Sequence, residues 1–335
     1  MRRDSSLPEG TVRRLTVDSK VLIGNFLGDS PHRAIDVYIP PGVSGRGLPL
    51  LVCLAGYAGS GLSHTNWRNF VESVPERADR LIGSGAMVPA MIAFPDCFTK
   101  LGGNQYINSA IMGRWADFLT EEAVPAVEAA YGCGGPGKRG VFGKSSGGYG
   151  AFLHALLHPD FWSASACHSG DMGWELLQLM DMPRTLRALA KAGGIKPWLE
   201  SFFAKDKIKD DDTHVLMVLA MCATYDPDTS AFMGVRLPVD PETCEIIPDR
   251  WANWLKWDPL TLVETHAGGL KKLKALYLDC GDIDQYNLLY GARRMKRALI
   301  RHAVPHIYEE FSDDHSAIDY RMDRSLPFLS AALTA

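Results

Sequence analysis

The sequence predicts an α/β chain: a mostly parallel sheet covered by helices on both faces, with one inserted segment. Three observations predict it. Short apolar runs recur along the chain, many of them closed by Gly or Pro. Stretches with helical apolar spacing lie between them. From about residue 173 to 269 this alternation gives way to more helical sequence, with an acidic run at 210–212 and a Pro-rich tract. Strands buried on both faces read as continuous apolar runs, and helical crossovers supply the intervening segments.

Taken in order, the first 45 or so residues read as β structure, with strands at 20–25 and 34–39, the second closed by Pro40-Pro41. PLLVCL at 49–54 reads as a buried strand that ends in the glycine-rich loop AGYAGSG. Trp67, Phe70, Val71, Val74, Ala78 and Leu81 have helical spacing and predict a helix over 67–81. MIAF at 91–94 is a further strand, stopped by Pro95. Residues 115–131 predict an amphipathic helix kinked at Pro125. A short strand at 139–142 leads into GKSSGGYGAFLHALLHP, helical from about Ser146 to Leu157. Strands at 162–167 and 273–280, a helix near 288–302, a strand at 307–311 and a final helix complete the chain. The reading is one domain over 1–335, with 173–269 as a cap or lid inserted within it.

Composition removes several classes. Hydrophobic residues make up 46% of the 335 and charged residues 22%, so the chain is not a disordered one. A net charge of −4 gives no broad footprint for nucleic acid. The longest apolar run, near 215–223, is shorter than the ~20 residues that span a bilayer. The polar start MRRDSSLPEGTVRR lacks a signal peptide's apolar stretch, so the expected location is cytoplasmic. Seven widely spaced cysteines without a CxxC argue against a zinc site or redox pair, and GCGGPG at 132–137 follows a helix instead of a strand, opposite to a dinucleotide loop. No metal or organic cofactor is expected. Trp251, Trp254 and Trp257 read as a helix face packed on the core, and the methionines of 180–233 as core filling.

The chemistry is concentrated in Gly143-Lys144-Ser145-Ser146-Gly147, a G-x-S-x-G motif between an apolar strand and an apolar helix. A serine on so sharp a turn presents its Oγ away from the sheet, and the helix N-terminus offers the Ser146 N–H to a developing oxyanion. The nucleophile needs a base. His315 stands in FSDDHSAIDY just after the last apolar strand, whereas His154 and His158 lie within the helix that follows Ser145. The base needs an orienting carboxylate. GDIDQYN offers Asp282 and Asp284, with Asp279 at the strand end; Asp284 is favoured and Asp282 is the alternative. A second oxyanion donor is expected from the loop after the strand at 49–54, at the Tyr57 N–H. His168 and Trp174 are candidate pocket-lining residues.

Four segments then resemble one family. They are LLVCLAGYAGS; FPDCF with YINSAIMGRWADFLTEEAVPAVEAAYG; VFGKSSGGYGAFLHALLHPDFWSASACHSGD; and LYLDCGDIDQYN with EEFSDDHS. The chain is similar to the esterase D, antigen 85 and enterochelin-esterase-like group of α/β-hydrolases. The resemblance implies an α/β-hydrolase fold and places the nucleophile at Ser145, the acid at Asp284 and the base at His315. Two departures stand out. Ala55-Gly56 replaces the family's His-Gly in the oxyanion loop, and Asp314 replaces a small residue before the histidine. The implied activity is hydrolysis of a small-molecule carboxylic ester or thioester through an acyl-enzyme. Acyl transfer to an alcohol by the same residues is the alternative, and a non-catalytic binding protein on this scaffold a more distant one. No nucleic-acid partner or membrane span is implied, and a homo-oligomer is not indicated.

Overall fold

The computed structural model describes residues 6–335. Its frame is an eight-stranded sheet of β1 (Thr11–Asp18), β2 (His32–Ile39), β3 (Leu50–Leu54), β4 (Met91–Pro95), β5 (Arg139–Lys144), β6 (Ala164–His168), β7 (Ala275–Gly281) and β8 (Ile307–Phe311). The spatial order is β1-β2-β4-β3-β5-β6-β7-β8. Only β2 runs against its neighbours; all other pairings are parallel. Leu54 pairs with Gly143, Lys144 with His168, and His168 with Asp279, so three strand ends lie side by side. In such sheets ligands bind beyond the carboxyl ends of the strands.

The alternation within each buried strand builds two core layers. Leu50, Val52 and Leu54 pack with Phe118, Val124 and Val127, and with Leu153 of the helix after β5. Leu51 and Cys53 turn to the other face, against Val74, Ala78, Leu326 and Leu329. Each of these side chains is at most 1% exposed, and burying a leucine or valine stabilises by roughly 1.5–3 kcal/mol. The covering helices are α1 (Val74–Gly83) and, at the chain's end, Met322–Thr334 on one face. On the other lie α2 (Val124–Tyr131) and α3 (Ser146–Leu157).

Three local expectations change. Residues 20–25 form turns, and the first strand is TVRRLTVD at 11–18, an exposed edge paired on one side only. The helix expected over 67–81 starts at Val74: Ser73 and Glu76 form a reciprocal capping box and Pro75 opens the first turn. Trp67 and Phe70 are left 78% and 86% exposed, so their spacing reflects no buried face. Within 115–131 the irregularity precedes Pro125. A π-helical turn at Phe118–Ala123 joins a short α turn, Trp115–Asp117, to α2. Proline has no N–H to offer the preceding turn, which relaxes the ladder there.

Between β6 and β7 the chain forms α4 (Met182–Ala192), α5 (Ile195–Phe203), α6 (Asp210–Tyr225), α7 (Pro248–Leu255) and α8 (Pro259–Leu270). Residues 210–212 open α6 as three acids in its first turn, where the helix dipole favours negative charge, and are not a free turn. The apolar run that follows is a buried helix. Trp174, Tyr149, Tyr225 and Trp254 pack ring on ring and bind this segment to α3. Trp251 and Trp254 are core residues of α7, as their spacing suggests. The last helix, α8, packs with Phe152 and Leu156 of α3 in the layer over the sheet. After β7 come α9 (Leu288–Arg301), β8 and α10 (Met322–Thr334). Among the described residues no helix is long and apolar enough to cross a membrane.

Candidate active site

β5 ends at Lys144 and α3 starts at Ser146, which leaves Ser145 alone on the turn. Its backbone sits at φ 58°, ψ −128°, a conformation that costs an L residue about 1–3 kcal/mol. Two bonds hold it there. Ser145 N–H donates to the His168 carbonyl at 3.0 Å, and Tyr149 N–H donates to the Ser145 carbonyl at 2.8 Å. The motif's glycines follow from close packing of β3 on this turn. A Cβ on Gly147 would lie 2.0 Å from the Leu54 carbonyl oxygen, and one on Gly143 would lie 2.5 Å from it.

Ser145 lines a cavity of about 510 Å³ at the strand ends. Tyr57, Ser146 and His315 line it too. The backbone N–H groups of Tyr57 and Ser146 donate to no protein acceptor among the described residues, so both are open to a ligand oxygen. The Tyr57 side chain is anchored by its hydroxyl, which donates to the Leu101 carbonyl at 2.6 Å.

His315 follows β8, and Asp284 follows β7. The parallel pairing of those strands brings them together across 31 positions: His315 Nδ1 is 2.8 Å from Asp284 Oδ2. The second oxygen of Asp284 accepts the Tyr286 N–H at 2.9 Å, and the His315 N–H donates to Gln285 Oε1 at 2.9 Å. With Nδ1–H donated to a carboxylate, Nε2 is the free acceptor of the ring. Neither His315 Nε2 nor Ser145 Oγ has a protein partner among the described residues. Asp282 turns elsewhere, accepting from Ser312 Oγ at 3.0 Å.

Other expectations resolve differently. His168 lies behind the cavity wall: Nδ1 is 2.7 Å from Asp279 Oδ1 and Nε2 is 2.8 Å from Ser325 Oγ. It is 1% exposed and does not line the cavity. Trp174 is likewise buried in the aromatic cluster, not in the wall. Asp279 belongs to the buried network with Arg321 and Tyr277, while the His315 ring bonds Asp284. Met221 is a buried core residue with Met217 packed against that core, as expected, and both also line the cavity from α6.

The cavity also gathers residues outside the expected catalytic set. His64 lines it, its pKa lowered by burial. Arg68 pairs with Asp319 at 2.5 Å beside it. Burial pulls the Asp319 pKa up, but the Arg68 hydrogen bond and the charges of His64 and Lys144 outweigh it and hold that carboxyl below its ordinary value. Lys144 sits next to the serine, its pKa lowered by burial against the pull of Asp319 and Asp284. Asp171, just past β6, is 6% exposed and lines the cavity, and burial pushes its carboxyl up to about 6. Nothing in their local sequence marks these positions.

Residues 30–323 match the model of the family described as "Putative esterase". No curated protein matches. Among solved structures the chain is similar to a ferulic acid esterase, at 18% identity over 97% of this chain and 99% of that one, with a TM-score of 0.63. It is similar to an S-formylglutathione hydrolase from Agrobacterium tumefaciens, at 16% identity over 99% of each chain, TM-score 0.58. It is also similar to FphF, a fluorophosphonate-binding serine hydrolase of Staphylococcus aureus, at 15% identity over 96% and 99%, TM-score 0.59. At such identities the likeness speaks for the fold.

Proposed function

This chain belongs to the Putative esterase family and is a carboxylic ester hydrolase, and we propose that it works through Ser145, His315 and Asp284 by way of a covalent acyl-enzyme. The observation that carries this reading is the 2.8 Å His315–Asp284 contact at a histidine that opens onto the same cavity as Ser145. Ser145 Oγ attacks the acyl carbon while His315 Nε2 takes its proton. Asp284 holds the Nδ1–H tautomer and stabilises the imidazolium. The tetrahedral oxyanion is received by the Tyr57 and Ser146 N–H groups, at the positive end of α3. As the C–O or C–S bond breaks, His315 protonates the departing alkoxide or thiolate. Water, activated by the same histidine, then cleaves the acyl-enzyme. The helical segment over residues 173–269 acts as the cap, supplying Leu177, Met217 and Met221 to the cavity wall and so selecting the ester.

The test is hydrolysis of p-nitrophenyl esters of increasing acyl length by wild type and by Ser145→Ala. Turnover is expected in the first and only background in the second, with the preferred length sizing the cavity. Retained turnover in Ser145→Ala ends this reading. Added alcohols separate the alternative, since acyl transfer would yield a new ester in place of the free acid.

A further inference from the structure

Asp171 lines the cavity but has no work in the hydrolytic scheme and, among the described residues, no ion pair. The other acids there do have charged neighbours: Asp319 has Arg68, Asp181 has Arg184, and Asp210 lies 3.9 Å from His214. Its hydrogen bonding is one-sided. Gln105 Nε2 donates to Ser146 Oγ at 2.7 Å, and Ser146 Oγ donates to Asp171 Oδ2 at 3.2 Å. Ser146 thus relays between Gln105 and the carboxyl, and the bonds that reach Asp171 come from Ser146 and Gln105. An ionised carboxylate offers about four lone-pair sites, so these two partners leave part of its capacity for a ligand in the cavity it lines. Burial drives its pKa up to about 6, against the opposing pull of the His315 charge and of the Ser146 and Gln105 bonds.

Burial carries a cost for the charged form of this carboxyl, which a ligand's hydrogen bond would offset. The location adds a second cost. Ser146 carries a proposed oxyanion donor on its backbone and Asp171 on its side chain, so a bare carboxylate would oppose the negative charge of the intermediate. A substrate that brings a hydrogen-bond donor removes both penalties.

We propose that Asp171 recognises a hydroxyl group of the substrate, so that the preferred ester carries a hydroxyl on its acyl or alcohol part within reach of the scissile bond. This rests on the esterase reading above. A hydroxyl fits better than an ammonium group. It donates to the carboxylate and accepts from the carboxylic acid, and so engages both forms of a group that titrates near neutrality. The cavity also already holds the cations of Lys144 and Arg68, which disfavour a third.

Esters in which a hydroxyl replaces a methyl test this directly. Ethyl lactate is compared with ethyl isobutyrate for the acyl side, 2-hydroxyethyl acetate with propyl acetate for the alcohol side, and alanine ethyl ester serves as the ammonium counterpart. In wild type, kcat/KM for the hydroxyl member of at least one pair is expected to exceed its methyl partner about tenfold or more. Asp171→Ala should bring that ratio close to one, and Asp171→Asn, which keeps an acceptor oxygen, should lower it part of the way. Ratios cancel differences in folded protein. If Asp171→Ala does not fold, Asp171→Asn decides alone. Wild-type ratios near one in both pairs overturn the proposal, as does a ratio unchanged in the variants, or a stronger preference for the alanine ester. Loss of Ser145-dependent hydrolysis on every ester would instead overturn the esterase reading beneath it.

Discussion

His315 Nδ1 and Asp284 Oδ2 lie 2.8 Å apart, with the Asp284 side chain wholly out of solvent. The neighbouring acid Asp282 is exposed and bonded to Ser312. An amide at 284 would set the wrong histidine tautomer, whereas an amide at 282 would leave the ring alone. Asp284→Asn is therefore expected to lower kcat about 10³–10⁴-fold, and Asp282→Asn by no more than about threefold. Steady-state kinetics on one p-nitrophenyl ester measures both. Equal losses would move the acid away from Asp284.

Asp171 gives the protein a pH signature in its stability. Its folded pKa, about 6, lies above the ordinary carboxyl value, so the folded chain holds that proton more tightly. Stability from this group is therefore complete at low pH and is lost as the pH rises through the window from about 4 to 6. Relative to Asp171→Asn, wild type should lose about 2 kcal/mol between pH 4 and pH 7.5. Urea unfolding of both proteins at the two pH values reads the difference. A gap that does not change with pH would show that Asp171 ionises freely.

The buried His168 ring joins Asp279 of β7 to Ser325 of α10. Replacing it by leucine leaves two buried polar groups short of a partner. His168→Leu should cost about 2–4 kcal/mol in unfolding free energy. A loss of unfolding free energy in urea well below 1 kcal/mol would show that solvent or Arg321 takes over the lost bonds.

Two glycines should respond in opposite ways to alanine. At Gly147 the added methyl meets the β3 backbone, which cannot move without shifting the sheet. Gly147→Ala is expected to lose more than about 3 kcal/mol or to fail to accumulate. Gly268 lies exposed within α8, and a Cβ there meets nothing within 4 Å. Gly268→Ala should gain roughly 0.5–1 kcal/mol. Thermal melts of the pair check the contrast.

What was legible in the sequence divides along physical lines. The strands Leu50–Leu54, Met91–Pro95 and Ala275–Gly281 announce themselves because burial on both faces demands unbroken apolar runs. The first strand does not, since an exposed edge tolerates Arg13 and Arg14 and carries no apolar run. The segment around Trp67 and Phe70 misleads because apolar spacing marks a helix only where a face is buried. Ser145, with its flanking glycines, is marked by a local backbone requirement. Asp284 and His315 are legible as members of a chain order, while the contact between them arises from the pairing of two strands. His64, Met217 and Asp171 join the cavity only through tertiary placement, which no local pattern encodes.

The His168 carbonyl receives the Ser145 N–H, while the ring of that residue is gripped by Asp279 and Ser325. The turn that bears the serine is thus braced by a helix that leaves the ribosome some 180 residues later, counted from 145 to 325. While those residues are being made, the nascent chain would carry its nucleophile without the bracing that shapes it, and would be chemically silent for that time. Chains halted at residue 320 should resist labelling by a fluorophosphonate, and the 335-residue chain should react.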